Sequence, residues 1–190
     1  MGTLSVVTEP TIEPVTLAEA KAVLGISHTD DDTLITAYIE AARRFAEAYT
    51  DLHIMTQVLD WTLEGWNAYT FNLDVWPLQS IDSIKYDDTS SPITEQTLTA
   101  NTDYYATIAL AGGVVESIGG WPSTTTRPAP IRIRMTAGYA DTAASPIDLR
   151  DGVPEGLKTG IKLYVKFLYN SDPCSEAAAR SVLWHYRRKI

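Results

Sequence analysis

Residues 27–50 read SHTDDDTLITAYIEAARRFAEAYT, and two meanings compete for the three aspartates beside a histidine. One is a metal or acid/base cluster; the other is the start of a helix. The residues that follow decide it. Leu34, Ile35, Tyr38, Ile39, Ala42, Phe45, Ala46 and Tyr49 recur at three- and four-residue spacing, the apolar stripe of an amphipathic helix of about five turns. Asp30, Asp31 and Asp32 then fall at its first turn. There a carboxylate caps exposed N–H groups and meets the positive end of the helix dipole, an effect of roughly 0.3–1 kcal/mol per charge. Adjacent aspartates on a helix point in different directions, and no neighbouring residues supply the other ligands of a calcium loop. The expectation is a capped helix, with no metal, and His28 as a solvated loop residue.

Upstream, Val15–Gly25 (VTLAEAKAVLG) sets Thr16 three residues before Glu19, a capping box, and ends on Gly25, suited to the left-handed conformation after a last turn. Downstream, from His53 to about Tyr139, the pattern changes. Residues 58–66, 71–75, 80–88, 103–110, 113–117 and 131–139 are short, partly alternating, and rich in β-branched and aromatic residues. Turn residues at Asp87–Pro92, Gly112–Gly113 and Gly119–Gly120 separate them. About six strands at this spacing suggest a small antiparallel sandwich or barrel, and residues 118–130, around Trp121, read as an exposed loop.

After a linker-like stretch at 138–152, Pro154 is placed to begin a helix striped by Leu157, Ile161, Tyr164, Val165 and Leu168. Asn170, Asp172 and Pro173 are read as its end. Residues 175–190, SEAAARSVLWHYRRKI, give a last helix or arm. The expected class is α+β. N- and C-terminal helices form a bundle, and an antiparallel β-sandwich or barrel-like module is inserted between them. The expected parts are 1–52, an N-terminal helical part; 53–150, the β module with its loops; and 151–190, C-terminal helices and arm.

Composition narrows the function classes. The chain has 190 residues, 45% of them hydrophobic, enough for one core or two small ones. No apolar run reaches the eighteen or so residues of a membrane span, and the N-terminus lacks the pattern of a signal peptide. Cys174 is the only cysteine and has no zinc-ligand partner nearby. A net charge of −9 argues against a protein that grips nucleic acid. That charge is uneven: residues 1–95 carry −12 and residues 96–190 carry +3. Such asymmetry suggests two faces with different neighbours.

No nucleophile elbow, zinc-protease motif or phosphate loop is present. Pairs such as Glu40 with Glu47, or Asp60 with Glu64, satisfy the composition of a glycosidase site, but nothing in the sequence singles any pair out. The aromatic residues are the richest feature. Most read as packing, while Trp121 and Trp184 lie outside any stripe and are expected to be exposed to a partner. The C-terminal WHYRRKI joins aromatic anchors to three cations.

The segments PVTLAEAKAVLGI, DDDTLITAYIEAARRFAEAYT, WPLQSIDSIKYDD, IRIRMTAGYA and VPEGLKTGIKLYVKFLYN, in this order, resemble the head-to-tail connector, or adaptor, proteins of long-tailed bacteriophages and of phage-derived gene transfer agents. The resemblance runs from Pro14 to Asn170. It implies a non-enzymatic, cofactor-free part of the virion or transfer-particle neck, assembled in the bacterial cytoplasm without contact to a membrane. About a dozen copies would form a ring beneath the portal protein, extend the DNA channel, and receive the next neck component, a stopper or tail terminator. It also implies a C-terminal portal contact, here Leu183, Trp184, His185, Tyr186, Arg187, Arg188, Lys189 and Ile190. DNA would slide through the lumen without specific binding. On that reading Asp30, Asp31, Asp32, Glu40 and Glu47 are candidates to face the channel or a neighbouring subunit, since acidic walls repel phosphates. Trp121 is a candidate loop contact. The alternative is a carbohydrate- or surface-binding β module with helical flanks, using Trp121, Trp66 or Trp76 as a sugar platform.

Overall fold

The computed structural model describes residues 2–66, 68–109, 111–139 and 148–188. Residues 140–147 of the linker-like stretch, and Lys189 and Ile190 of the C-terminal segment, lie outside the described residues. The chain is α+β: the described residues form four helices and two antiparallel sheets, divided into two compact units. One unit takes residues 1–9 and 56–138, the other residues 10–55 and 139–190.

The β unit is built on β1 (Thr3–Thr8), β2 (Gln57–Leu63), β3 (Thr70–Leu73), β4 (Leu78–Asp87), β5 (Glu95–Leu98), β6 (Tyr104–Ala109), β7 (Gly112–Ser117) and β8 (Ile131–Ala137). A five-stranded sheet runs β1-β2-β8-β4-β5 and a three-stranded sheet runs β3-β7-β6. Neither closes into the barrel that the strand spacing allowed, because β1 and β5 end the larger sheet and β3 and β6 the smaller. β8 shows why these residues make a half-buried strand. Ile131, Ile133, Met135 and Ala137 are fully buried, while Arg132, Arg134 and Thr136 alternate to the other face. Each buried Ile or Met contributes roughly 1.5–3 kcal/mol. Leu59, Ile84, Leu73, Tyr104 and Val115 from both sheets join the same core.

Two of the eight strands, β1 and β5, carry too little alternation to stand out in the sequence. All six residues of β1 and three of the four in β5 are exposed, so no buried face imprints a period of two.

The helical unit contains α1 (Leu17–Leu24), α2 (Asp32–Thr50), α3 (Glu155–Asn170) and α4 (Pro173–Trp184). Around α1 the capping box is present, with the Thr16 side chain accepting from the Glu19 N–H, and Gly25 takes φ 72°. Along α2, Ile35, Ile39, Ala42 and Ala46 are buried at the helix packing face, while Leu34, at one margin of the predicted stripe, is 44% exposed. Asn170 is the last residue of α3, but Asp172 and Pro173 open the next helix instead of closing this one. Asp172 caps α4 by accepting from the N–H groups of Cys174 and Ser175, and Pro173 occupies its first turn. Two glycines set the spacing of α3 from α4. A Cβ at Gly160 would stand 2.6 Å from Leu183 Cδ2, and one at Gly156 would strike the Tyr186 ring. The bare backbone there lets Leu183, fully buried, seat directly on α3.

Candidate functional site: the C-terminal face of the helical unit

The aspartates at the start of α2 have been drawn away from capping. Asp31 is the N-cap residue but makes no side-chain cap bond, and its φ of −100° and ψ of 6° lie outside the extended geometry that capping needs. Its carboxylate instead accepts the Tyr169 hydroxyl at 2.6 Å, which raises the tyrosine's pKa. Asp32 pairs with Lys21 at 2.6 Å. Asp30 projects outward, with His28 Nδ1 3.8 Å away. The three therefore tie α2 to α1 and α3 through Asp31 and Asp32, and leave only Asp30 to solvent.

Glu40 is exposed and lies one turn before Arg44, at 3.0 Å. Glu47 points inward: with Glu13 it grips Arg43, which is 3% exposed, each carboxylate lying 2.8 Å from the guanidinium. The Ile54 N–H also donates to Glu47 at 2.9 Å. Burial pushes the Glu47 carboxyl up, against the lowering by the Ile54 N–H and Arg43.

The C-terminal segment is fastened down. Leu183 and Tyr186 sit against the α3 glycines, the Arg188 N–H donates to the Thr50 carbonyl at 2.9 Å, and the Arg188 guanidinium reaches Asp51 at 3.2 Å. The Thr50 carbonyl belongs to the last turn of α2, where carbonyls lack partners within the helix and a cation complements the dipole. What faces outward is a ladder of rings and cations. Phe45 stacks on Tyr164 at 3.8 Å between centroids and on Tyr49 at 5.8 Å. Arg180 lies over Phe45 and Tyr49 at 4.9 and 5.6 Å. Arg187 lies over both Tyr49 and Trp184, at 5.7 and 5.4 Å. Trp184 is 56% exposed, as its position outside any stripe suggested.

Trp121 behaves differently from that expectation. It is half-buried against the β core, stacks on Trp66 at 4.5 Å, and donates its indole N–H to the Ala68 carbonyl at 2.8 Å. The Trp66 indole in turn donates to the Pro122 carbonyl at 2.9 Å. The two rings spend a face on each other and are closed off further by Phe71.

On the solvent side of the five-stranded sheet, charges form a connected row. Arg134 holds Asp60 at 2.8 Å, and Arg132 bridges Asp87 and Glu95 at 2.6 Å each, with Lys85 on Glu95 at 2.7 Å. Hydrogen bonds from Arg134 to Asp60, from Arg132 to Asp87, and from Lys85 and Arg132 to Glu95 hold all three carboxyls below the usual range. The arginine pairs of this row, with Lys162 to Glu19 at 3.7 Å and Arg188 to Asp51, join the basic half of the sequence to the acidic half, while Lys85 and Glu95 both belong to the acidic half. Much of the charge asymmetry is thus compensated inside the chain and does not by itself create two opposed faces.

Among the described residues no group of three or more His, Cys, Asp or Glu side chains is disposed to hold a metal ion. No described helix is long and apolar enough to cross a membrane.

This architecture is similar to that of known particle components. Residues 14–89, from α1 through β4, match the family described as phage gp6-like head-tail connector protein, and this range takes in the first three of the five segments that carry the resemblance. A chain in the neck of an empty GTA particle, computed with C6 symmetry, superposes with a TM-score of 0.78 at 16% identity, over 99% of this chain and 96% of that one. A chain from the virion of a native gene transfer agent particle gives 0.74 at 17% identity with the same coverage. A chain from the neck of a native GTA particle, computed with C12 symmetry, gives 0.74 at 16%, again over 99% and 96%. No curated protein matches.

Proposed function

We propose that the protein is a structural head-to-tail connector of a tailed phage or gene transfer agent. It takes its place in a ring of about twelve copies in the particle neck, between the portal and the next neck component, and makes or breaks no covalent bond. The observation that carries this is the match of residues 14–89 to the head-tail connector family, together with a fold shared over 99% of the chain with components of GTA particles. The C6 and C12 symmetries of those neck structures support a ring for this chain as well.

Within that role the residues offered to the portal are Trp184, His185 and Arg187, exposed on the C-terminal face; Lys189 and Ile190 belong to the same sequence candidate and lie outside the described residues. Leu183, Tyr186 and Arg188 hold that face in place. Of the five acidic candidates for the channel wall or the neighbouring subunit, Asp30 and Glu40 stand on the surface of the helical unit, whereas Asp31, Asp32 and Glu47 are engaged within it. Trp66 and Trp121, stacked on each other, do not present the open ring face that a sugar platform uses.

Electron microscopy of the chain mixed with its cognate portal tests the proposal. The expected result is a cap of density following the portal's symmetry; a portal left bare at saturating concentration overturns it.

A further inference from the structure

We infer that the C-terminal face is a preformed docking platform in which Arg187, placed over the rings of Tyr49 and Trp184, donates to a carboxylate on an acidic segment of the partner protein. This rests on the connector reading above and names the chemistry of its portal contact.

The cations of this face differ in how they are occupied. Arg180 is paired to Glu176 at 2.8 Å and Arg188 to Asp51 at 3.2 Å. Arg187 has no carboxylate partner among the described residues, in a chain whose net charge is −9. Its guanidinium is nonetheless placed, within 5.7 Å of the Tyr49 ring and 5.4 Å of the Trp184 ring, and its backbone N–H is fixed to the Trp184 carbonyl at 3.2 Å. A planar cation resting on aromatic faces keeps its N–H edge open for an in-plane carboxylate, the bidentate geometry that lysine cannot reproduce. Trp184, 56% exposed beside it, supplies the apolar area that accompanies charge pairs at interface hot spots.

The platform is built before the partner arrives. Leu183 and Tyr186 on the α3 glycines and Arg188 on the end of α2 fix the segment from both sides. Binding then orders few new rotors, and affinity follows from the charge and ring already in position. Among the described residues of this face a single arginine lacks a carboxylate partner, too little to hold a duplex, whose binding needs several neutralised phosphates, so the favoured anion is a protein carboxylate.

The test measures binding of the full chain to its cognate portal, alongside thermal melting of each variant. Arg187→Gln and Arg187→Glu are expected to fold as the wild type and to weaken binding by about tenfold or more, with Arg187→Lys falling between the wild type and Arg187→Gln. Hexaglutamate peptide is expected to compete, and hexalysine not. Wild type and Arg187→Glu binding the portal equally well overturns the inference and leaves the connector reading intact. Wild type failing to bind at all removes both. Retardation of duplex DNA by the wild type, lost in Arg187→Gln, assigns the anion to phosphate and also overturns it.

Discussion

Arg43 and Glu47, one helical turn apart on α2, meet at 2.8 Å inside the helical unit, with the arginine 3% exposed. Glu13 closes the other side of the guanidinium at the same distance. Arg43→Met leaves two carboxylates facing each other in a poorly solvated space, and removing one partner of a buried ion pair costs about 3 kcal/mol or more. Glu47→Gln keeps the Ile54 N–H acceptor and removes one charge of the excess pair, so its loss is expected to be the smaller. Urea unfolding of the two variants measures the difference; equal midpoints would show that the triad does not hold this helix.

His53 makes a contribution of known sign to the pH dependence of stability, opposed by Glu47, whose raised carboxyl works the other way as the pH falls. Burial lowers its imidazole below the usual 6.5, against a smaller raising effect of Asp51. The folded state therefore binds the proton less well than the unfolded chain, and stability present above pH 6.5 falls as the pH drops through the unfolded value. Asp60, Asp87 and Glu95, all held low by their cations, remain ionised in the folded state through this window and lose their contribution only at more acid pH. Urea midpoints at pH 7.5 and 5.5 should differ in the wild type, and the difference should shrink in a folded His53→Asn variant.

Gly160→Ala places a methyl where Leu183 Cδ2 stands 2.6 Å away. Leu183 is fully buried and cannot swing out, so α4 must shift, at about 1–3 kcal/mol. A lowered melting temperature with faster tryptic cleavage at Arg180 is the expected pair of readings. Gly156→Ala is expected to be milder, because it meets the far end of the Tyr186 ring. The same geometry makes substitution a better probe of the C-terminal face than deletion of residues 183–190, which would also remove a core leucine.

Trp121→Ala empties a stacked position on the β core and is expected to cost about 3 kcal/mol. A change in tryptophan emission should accompany it through the loss of the Trp66 contact. If the melting temperature is unchanged while binding to a particle partner is lost, Trp121 belongs to the surface role first assigned to it.

The elements with a wet and a dry side were legible in the sequence. The stripe of α2, the alternation of β8 and the capping box at Thr16 all record burial in their spacing. β1 and β5 were not, because an exposed edge leaves no period to read. Capping at Asp31 was predicted from residue type, yet Tyr169, 138 residues away, competes for the same carboxylate, and no local pattern announces such a partner. The ladder on the C-terminal face was half visible. Phe45 and Tyr49 are four apart on one helix, as are Glu176 and Arg180, but the alignment of these pairs with Arg187 and Trp184 depends on how α2, α3 and α4 meet. The glycines at 156 and 160, also four apart, were the available sign that something packs closely on α3.

The bond from the Arg188 N–H to the Thr50 carbonyl gives the C-terminus a mechanical character. A pull applied to residues beyond 188 reaches the end of the long helix α2 before it can peel α4 from its neighbours. The load meets in turn the backbone bond and ion pair at Arg188, then the notched side chains of Tyr186 and Leu183. A partner attached at this end, as proposed above, would pull against an anchor, with the strain spread into the body of the helical unit.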